Sequence, residues 1–138
     1  MAETSFRDGF EVPFRDYVLK DVELATLVEG RFYPQHLATF YTNSTTFPLA
    51  TFYEETGSMP NFTIIQKFNV VIQAYSNVSY DEAYEIHKAI YERLGGTNGP
   101  ISIPTRIVIR PLTTPAKSFD EKSRLFSVYN RFTVTWIP

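Results

Sequence analysis

The chain has 138 residues, enough for one domain with its own core, and 43% of them are hydrophobic. It has no cysteine, which excludes thiol nucleophiles, disulfide frameworks and cysteine-ligated zinc. The net charge of -2 argues against a nucleic-acid binder driven by a basic field, and no apolar run reaches membrane-spanning length.

The N-terminal residues Met1-Ala2-Glu3-Thr4 carry neither the basic nor the apolar region of a secretory signal, and residues 1–9 are expected to form a flexible N-terminus. A first helix is expected over residues 10–20. Pro13 suits its first turn, and Phe10, Phe14, Tyr17 and Val18 share one face. Asp21 is placed to cap a second, short helix through Val28, and Gly30 stands where a left-handed residue closes it. Residues 31–34 read as a short strand stopped by Pro34.

Residues 35–47 read as a long Thr-rich loop carrying Phe40, Tyr41 and Phe47. A strand follows at 49–54, then a turn, then the longest strand at 61–75. There Phe62, Ile64, Phe68, Val70, Ile72 and Ala74 alternate with Thr63, Lys67, Asn69 and Gln73, and Gln66 in the apolar row suggests a bulge. The main helix begins at the capping box Ser79-x-x-Glu82, repeats Ala83, Ile86, Ile90 and Leu94, and stops at Gly95-Gly96. Strands are expected at 106–110 and 124–137, the latter burying Phe126, Val128, Phe132, Val134 and Trp136. Residues 111–123 between them read as a second long polar loop.

The order α-α-β-β-β-α-β-β makes one α+β domain over 1–138. An antiparallel sheet of four to five strands, with the main helix on one face, accommodates every periodic segment.

The sequence offers little chemistry. His36 lies in the Thr-rich loop. His87 falls between the apolar stripe and Tyr80, Tyr84 and Tyr91, which reads as a half-buried histidine packed on aromatics. As a general base it needs a nucleophile, and no nucleophile-elbow motif supplies one. Asp81, Glu82 and Glu85 match the dipole at a helix start better than they match a metal site. Gly95-Gly96-Thr97-Asn98-Gly99 follows a helix where a phosphate loop precedes one. The triplets beginning at Asn43, Asn61 and Asn77 are glycosylation acceptors only in a secreted chain. No catalytic residue, cofactor or metal ligand emerges.

Contact surfaces are better represented. Residues 1–100 carry 7 basic and 13 acidic side chains, whereas residues 101–138 carry 6 basic and 2 acidic ones. That asymmetry fits either chance spread over one surface or a head-to-tail contact between copies. Phe40, Tyr41, Phe47 and Phe119 sit among polar loop residues, where they either fold back on the core or anchor another chain. With Lys117, Lys122 and Arg124 they form the candidate interface.

The run from Asp21 to Pro34 has a short leucine-bearing helix, a glycine, then Arg31, Phe32 and Tyr33-Pro34. It resembles an early segment of the small tail-completion proteins of long-tailed bacteriophages. The long strand ending Ala74-Tyr75-Ser76 before an alanine-bearing helix is similar too, as are the late strand pair and the closing Val134-Thr135-Trp136; the resemblance spans residues 10–138. It implies a tail terminator: α+β subunits in a ring, typically of six, that caps the tail tube, stops its growth and offers a head-joining surface. The implied partners are further copies, the tail tube protein and the head–tail connector or neck proteins. DNA would pass through the lumen without specific binding. The place implied is the tail or neck of the virion, after assembly in the host cytoplasm. The rival readings are another neck or head-completion component, a small α+β hydrolase using His87, and a generic ligand-binding module.

Overall fold

The longest alternating run in the sequence becomes the centre of the sheet. The computed structural model describes residues 8–35, 37, 40–42, 44–55, 66–95, 101–103 and 107–136. Its elements are α1 (Asp8–Leu19), α2 (Val22–Val28), β1 (Phe32–Tyr33), β2 (Leu49–Glu54), β3 (Gln66–Ser76), α3 (Tyr80–Arg93), β4 (Ile101–Ile103), β5 (Ile107–Pro111), β6 (Ala116–Asp120) and β7 (Leu125–Trp136). The strand order is β1-β2-β3-β7-β5-β4, with β6 also paired to β7. The fold is α+β.

Among the described residues the sheet is larger than the four to five strands expected, with seven, and one pair, β1 with β2, is parallel. The added strands are β4 and β6. Residues 111–123, expected as a loop, are largely β6 and a turn that returns directly into β7. From Gln66↔Trp136 to Ser76↔Phe126, β3 and β7 pair without interruption; the residues before Gln66, where the expected bulge would begin, lie outside the described residues. An irregularity lies elsewhere. Between Pro111↔Phe132 and Ala116↔Tyr129, residues 112–115 oppose only Asn130 and Arg131, so β5 and β6 are one strand broken by a bulge.

Alternation sorts the two faces. Phe68, Val70, Ile72 and Ala74 of β3, with Val128, Phe132, Val134 and Trp136 of β7, are buried toward the helices. Phe126 shares that row but is only half-buried, whereas Leu125 and Ser127 are buried on the opposite face. On α1, Phe10 and Phe14 are buried and stack at 5.0 Å. Phe10 meets Phe68 edge-on at 5.1 Å, and Phe14 meets Phe52 at 4.9 Å. Pro13 lies inside this helix, because α1 begins at Asp8.

The short-range signals are met with one change. Asp21 accepts from the Leu24 amide at 3.1 Å, and both Glu29 and Gly30 adopt positive φ, closing α2. Ser79 accepts from the Glu82 amide at 3.2 Å, but the Glu82 carboxylate does not return to Ser79. It accepts instead from the Ser76 hydroxyl at 2.6 Å, and Ser76 Oγ accepts the amides of Val78 (3.0 Å) and Ser79 (3.2 Å). The capping box is thus relayed through a third residue.

Two arginines tie the helices to the chain. Arg15 donates to the carbonyls of Phe32 and Gly30, each at 2.8 Å. Arg93 donates to the Tyr17 carbonyl and lies 3.9 Å from the centre of the Tyr17 ring, joining α3 to α1. Among the described residues, no helix is long and apolar enough to cross a membrane.

Candidate functional site

The sheet face away from the helices carries a second, smaller cluster. Leu49 and Tyr75 come from neighbouring strands, Leu125 from β7 and Leu37 from the Thr-rich loop; Tyr33, Phe40 and Phe47 pack against them. Phe40 meets Tyr33 edge-on at 5.0 Å. Phe40 and Phe47 therefore fold back onto this satellite core. Tyr41, 36% exposed, lies at the rim, 6.2 Å from the Phe47 ring.

Beside this cluster lies a cleft of about 320 Å³ lined by Leu37, Tyr41, Gln73, Tyr75, Asp120 and Ser127, together with Ser118, Ser123 and Leu125. The two segments expected to be long loops thus meet at one place. Leu37 and Tyr41 supply one wall and the β6–β7 hairpin the other. Gln73 Nε2 donates to Ser127 Oγ at 2.9 Å across β3 and β7. Burial, with Tyr53 nearby, holds the Tyr75 phenol protonated well above the ordinary tyrosine value. The Lys122 amide, donating to Asp120 Oδ1 at 3.0 Å, holds the Asp120 carboxyl below its usual value. The lining is thus hydroxyl-rich with one carboxylate. Further along the same face Arg131 Nε donates to Glu55 Oε2 at 2.6 Å.

The seven candidate interface residues do not form one patch. Lys117 and Phe119 project from β6 to the helix side. Phe119 packs on Phe126 at 4.9 Å, Tyr80 meets Phe126 at 4.9 Å, and the Lys117 ammonium lies 5.4 Å from the Tyr80 ring centre. Phe40, Tyr41 and Phe47 are on the other face. Lys122 and Arg124 occupy the hairpin turn, and Arg124, expected to open the last strand, takes φ 56° there instead.

His87 is buried rather than half-buried, with 1% exposure, and its Nε2 lies 2.7 Å from Asn130 Oδ1. Asn130 Nδ2 donates to the carbonyls of Thr113 and Arg131, each at 3.2 Å, which turns Oδ1 toward the histidine. His87 Nε2 therefore carries the proton. Nδ1 has no hydrogen-bond partner among the described residues. Burial pushes the His87 pKa down to about 4, against a smaller opposing effect of Asn130. The ring is neutral at physiological pH, and among the described residues its side-chain hydrogen bond is to an amide, not a nucleophile.

His36, Asn43, Asn61 and Gly96-Thr97-Asn98-Gly99 lie outside the described residues, as do residues 1–7 of the expected flexible N-terminus and residues 61–65 of the long strand. Among the described residues no group of three or more His, Asp or Glu side chains converges as a metal would require. The sequence reading missed Asn130. Its signal was present: it is the one polar residue in the buried row Val128, Phe132, Val134, Trp136.

No protein-family model matches the chain. No curated protein matches it either.

Proposed function

We propose that this chain is a structural subunit that closes into a ring, typically of six, caps a phage tail tube, ends its polymerisation and presents a surface for head joining. The observation that carries the reading is the convergence of Leu37 and Tyr41 with the β6–β7 hairpin on one cleft of the open sheet face. A cleft walled by Leu37 and Tyr41 on one side and the β6–β7 hairpin on the other suits docking against another protein. The sequence from Asp21 to Pro34 supports the family side of the reading, as part of the resemblance described above.

The environment of His87 weighs against the hydrolase alternative. A general base must reach substrate, and this imidazole is enclosed by Asn130 and Tyr91, whose ring lies 6.0 Å away. The work of the protein is therefore geometric. Copies pair head-to-tail until the rotation closes, one face of the ring meets the tube protein and the other the connector. A lumen that passes DNA freely is expected to be lined by acidic rather than basic side chains, because tight phosphate binding would retard passage.

The purified chain mixed with tail tube protein tests the reading. Binding to tube ends and arrest of further tube growth are expected. Tubes that elongate unchanged would count against it. Full heads beside free tails of normal length, in particles lacking the chain, would point to a joining role instead.

A further inference from the structure

Among the described residues β6 is an edge strand of the sheet. It pairs with β7 on one side and with no other strand among the described residues, and all five of its residues are exposed. The opposite margin of the sheet is treated differently: the Arg15 guanidinium covers the carbonyls of Phe32 and Gly30 beside β1. An open row of strand N–H and C=O groups is a template for pairing with another strand.

The β6 sequence, taken with the first residue of the turn that follows it, is complementary to its own reverse. Lys117-Ser118-Phe119-Asp120-Glu121 carries a cation two residues before Phe119 and an anion two residues after it. We propose that the β6 edge pairs antiparallel with the β6 edge of a second copy about a two-fold axis at Phe119. In that register Phe119 meets Phe119 of the second copy, Lys117 comes opposite Glu121 twice, and Ser118 comes opposite Asp120 twice. Strand parity keeps the Phe119 pair and the Ser118–Asp120 pairs each on one face, as an isologous contact requires, and Lys117 reaches Glu121 at the first position of the turn. A parallel, in-register pairing would instead set Lys117 against Lys117 and Asp120 against Asp120, which like charges oppose.

The helix side of this edge is already apolar. Phe119 is 38% exposed and rests on Phe126, which in turn meets Tyr80, so a second Phe119 would extend an existing aromatic row. Such an edge is short, so the contact is reversible and depends on concentration. It closes on itself at two copies and is distinct from the head-to-tail contact of a ring.

Sedimentation velocity of the full chain alone, across a wide concentration range, tests this. A monomer–dimer equilibrium is expected. Lys117→Glu and Glu121→Lys should each weaken it by about tenfold, since each sets like charges opposite one another twice. Lys117→Glu combined with Glu121→Lys should restore it. Circular dichroism checks that each variant is folded. A chain that stays monomeric throughout, a dimer indifferent to both single substitutions, or a double variant no tighter than the singles would overturn the proposal. No tube protein is present, so the outcome is separate from that of the capping experiment.

Discussion

His87 Nε2 donates to Asn130 Oδ1 across 2.7 Å, and through Asn130 it joins helix α3 to the bulge between β5 and β6. Asn130 binds the Thr113 carbonyl while Arg131 N donates to Thr113 Oγ1 at 2.9 Å, so one buried amide and its neighbour fix the place where the strand breaks. The polar pair sits in an otherwise apolar layer and positions the β6–β7 hairpin relative to the helices.

That burial makes stability depend on pH in a defined direction. The folded-state pKa of His87, about 4, lies below its unfolded value of 6.5, so the unfolded chain binds more protons between these limits. The stabilisation from a neutral His87 is complete above pH 6.5 and is lost as pH falls toward 4. The loss over that window is on the order of 3 kcal/mol. Urea unfolding at several pH values measures it. His87→Gln, which keeps a donor for Asn130 without titrating, should flatten this part of the profile.

Arg15 is expected to matter beyond its charge. One guanidinium serves the Phe32 and Gly30 carbonyls together, which an ammonium cannot do in the same geometry. Arg15→Ala should cost about 1–3 kcal/mol in urea unfolding, and Arg15→Lys should recover only part of it. Hydrogen exchange of the Ala50 amide, which donates to the Arg31 carbonyl beside this site, should accelerate in both.

Ser76 should outweigh the helix cap itself. Its hydroxyl is buried, accepts two amides and donates to Glu82. Ser76→Ala strands all three partners and should lower stability by about 1–3 kcal/mol, whereas Ser79→Ala should cost about 1 kcal/mol. The urea midpoint should move in each case with an unchanged m value.

The elements read correctly from sequence were those whose signal is local. Asp21 caps α2 because a side chain three residues before an amide can reach it, and Ala83, Ile86, Ile90 and Leu94 mark the buried stripe of α3 by spacing alone. β6 was hidden because Ala116, Lys117, Ser118, Phe119 and Asp120 are all exposed, so no buried alternation betrays the strand. It exists because β7 is long enough to pair with both β5 and β6 along one margin. The cleft was hidden for a related reason. Leu37 and Tyr41 meet Asp120 and Ser123 only after the chain folds, and no spacing encodes that meeting. Of the candidate contact residues, Phe40 and Phe47 turned inward because Tyr33, Leu49 and Tyr75 offered an apolar surface on the open face.

If the chain ends tail growth as proposed, its loss should free the tube to elongate. Electron microscopy of phage particles assembled without it, with tail lengths measured against the complete set of proteins, addresses that claim most directly. Tails that overrun their normal length and lack heads are expected; tails of normal length, with or without heads attached, would contradict the proposed role.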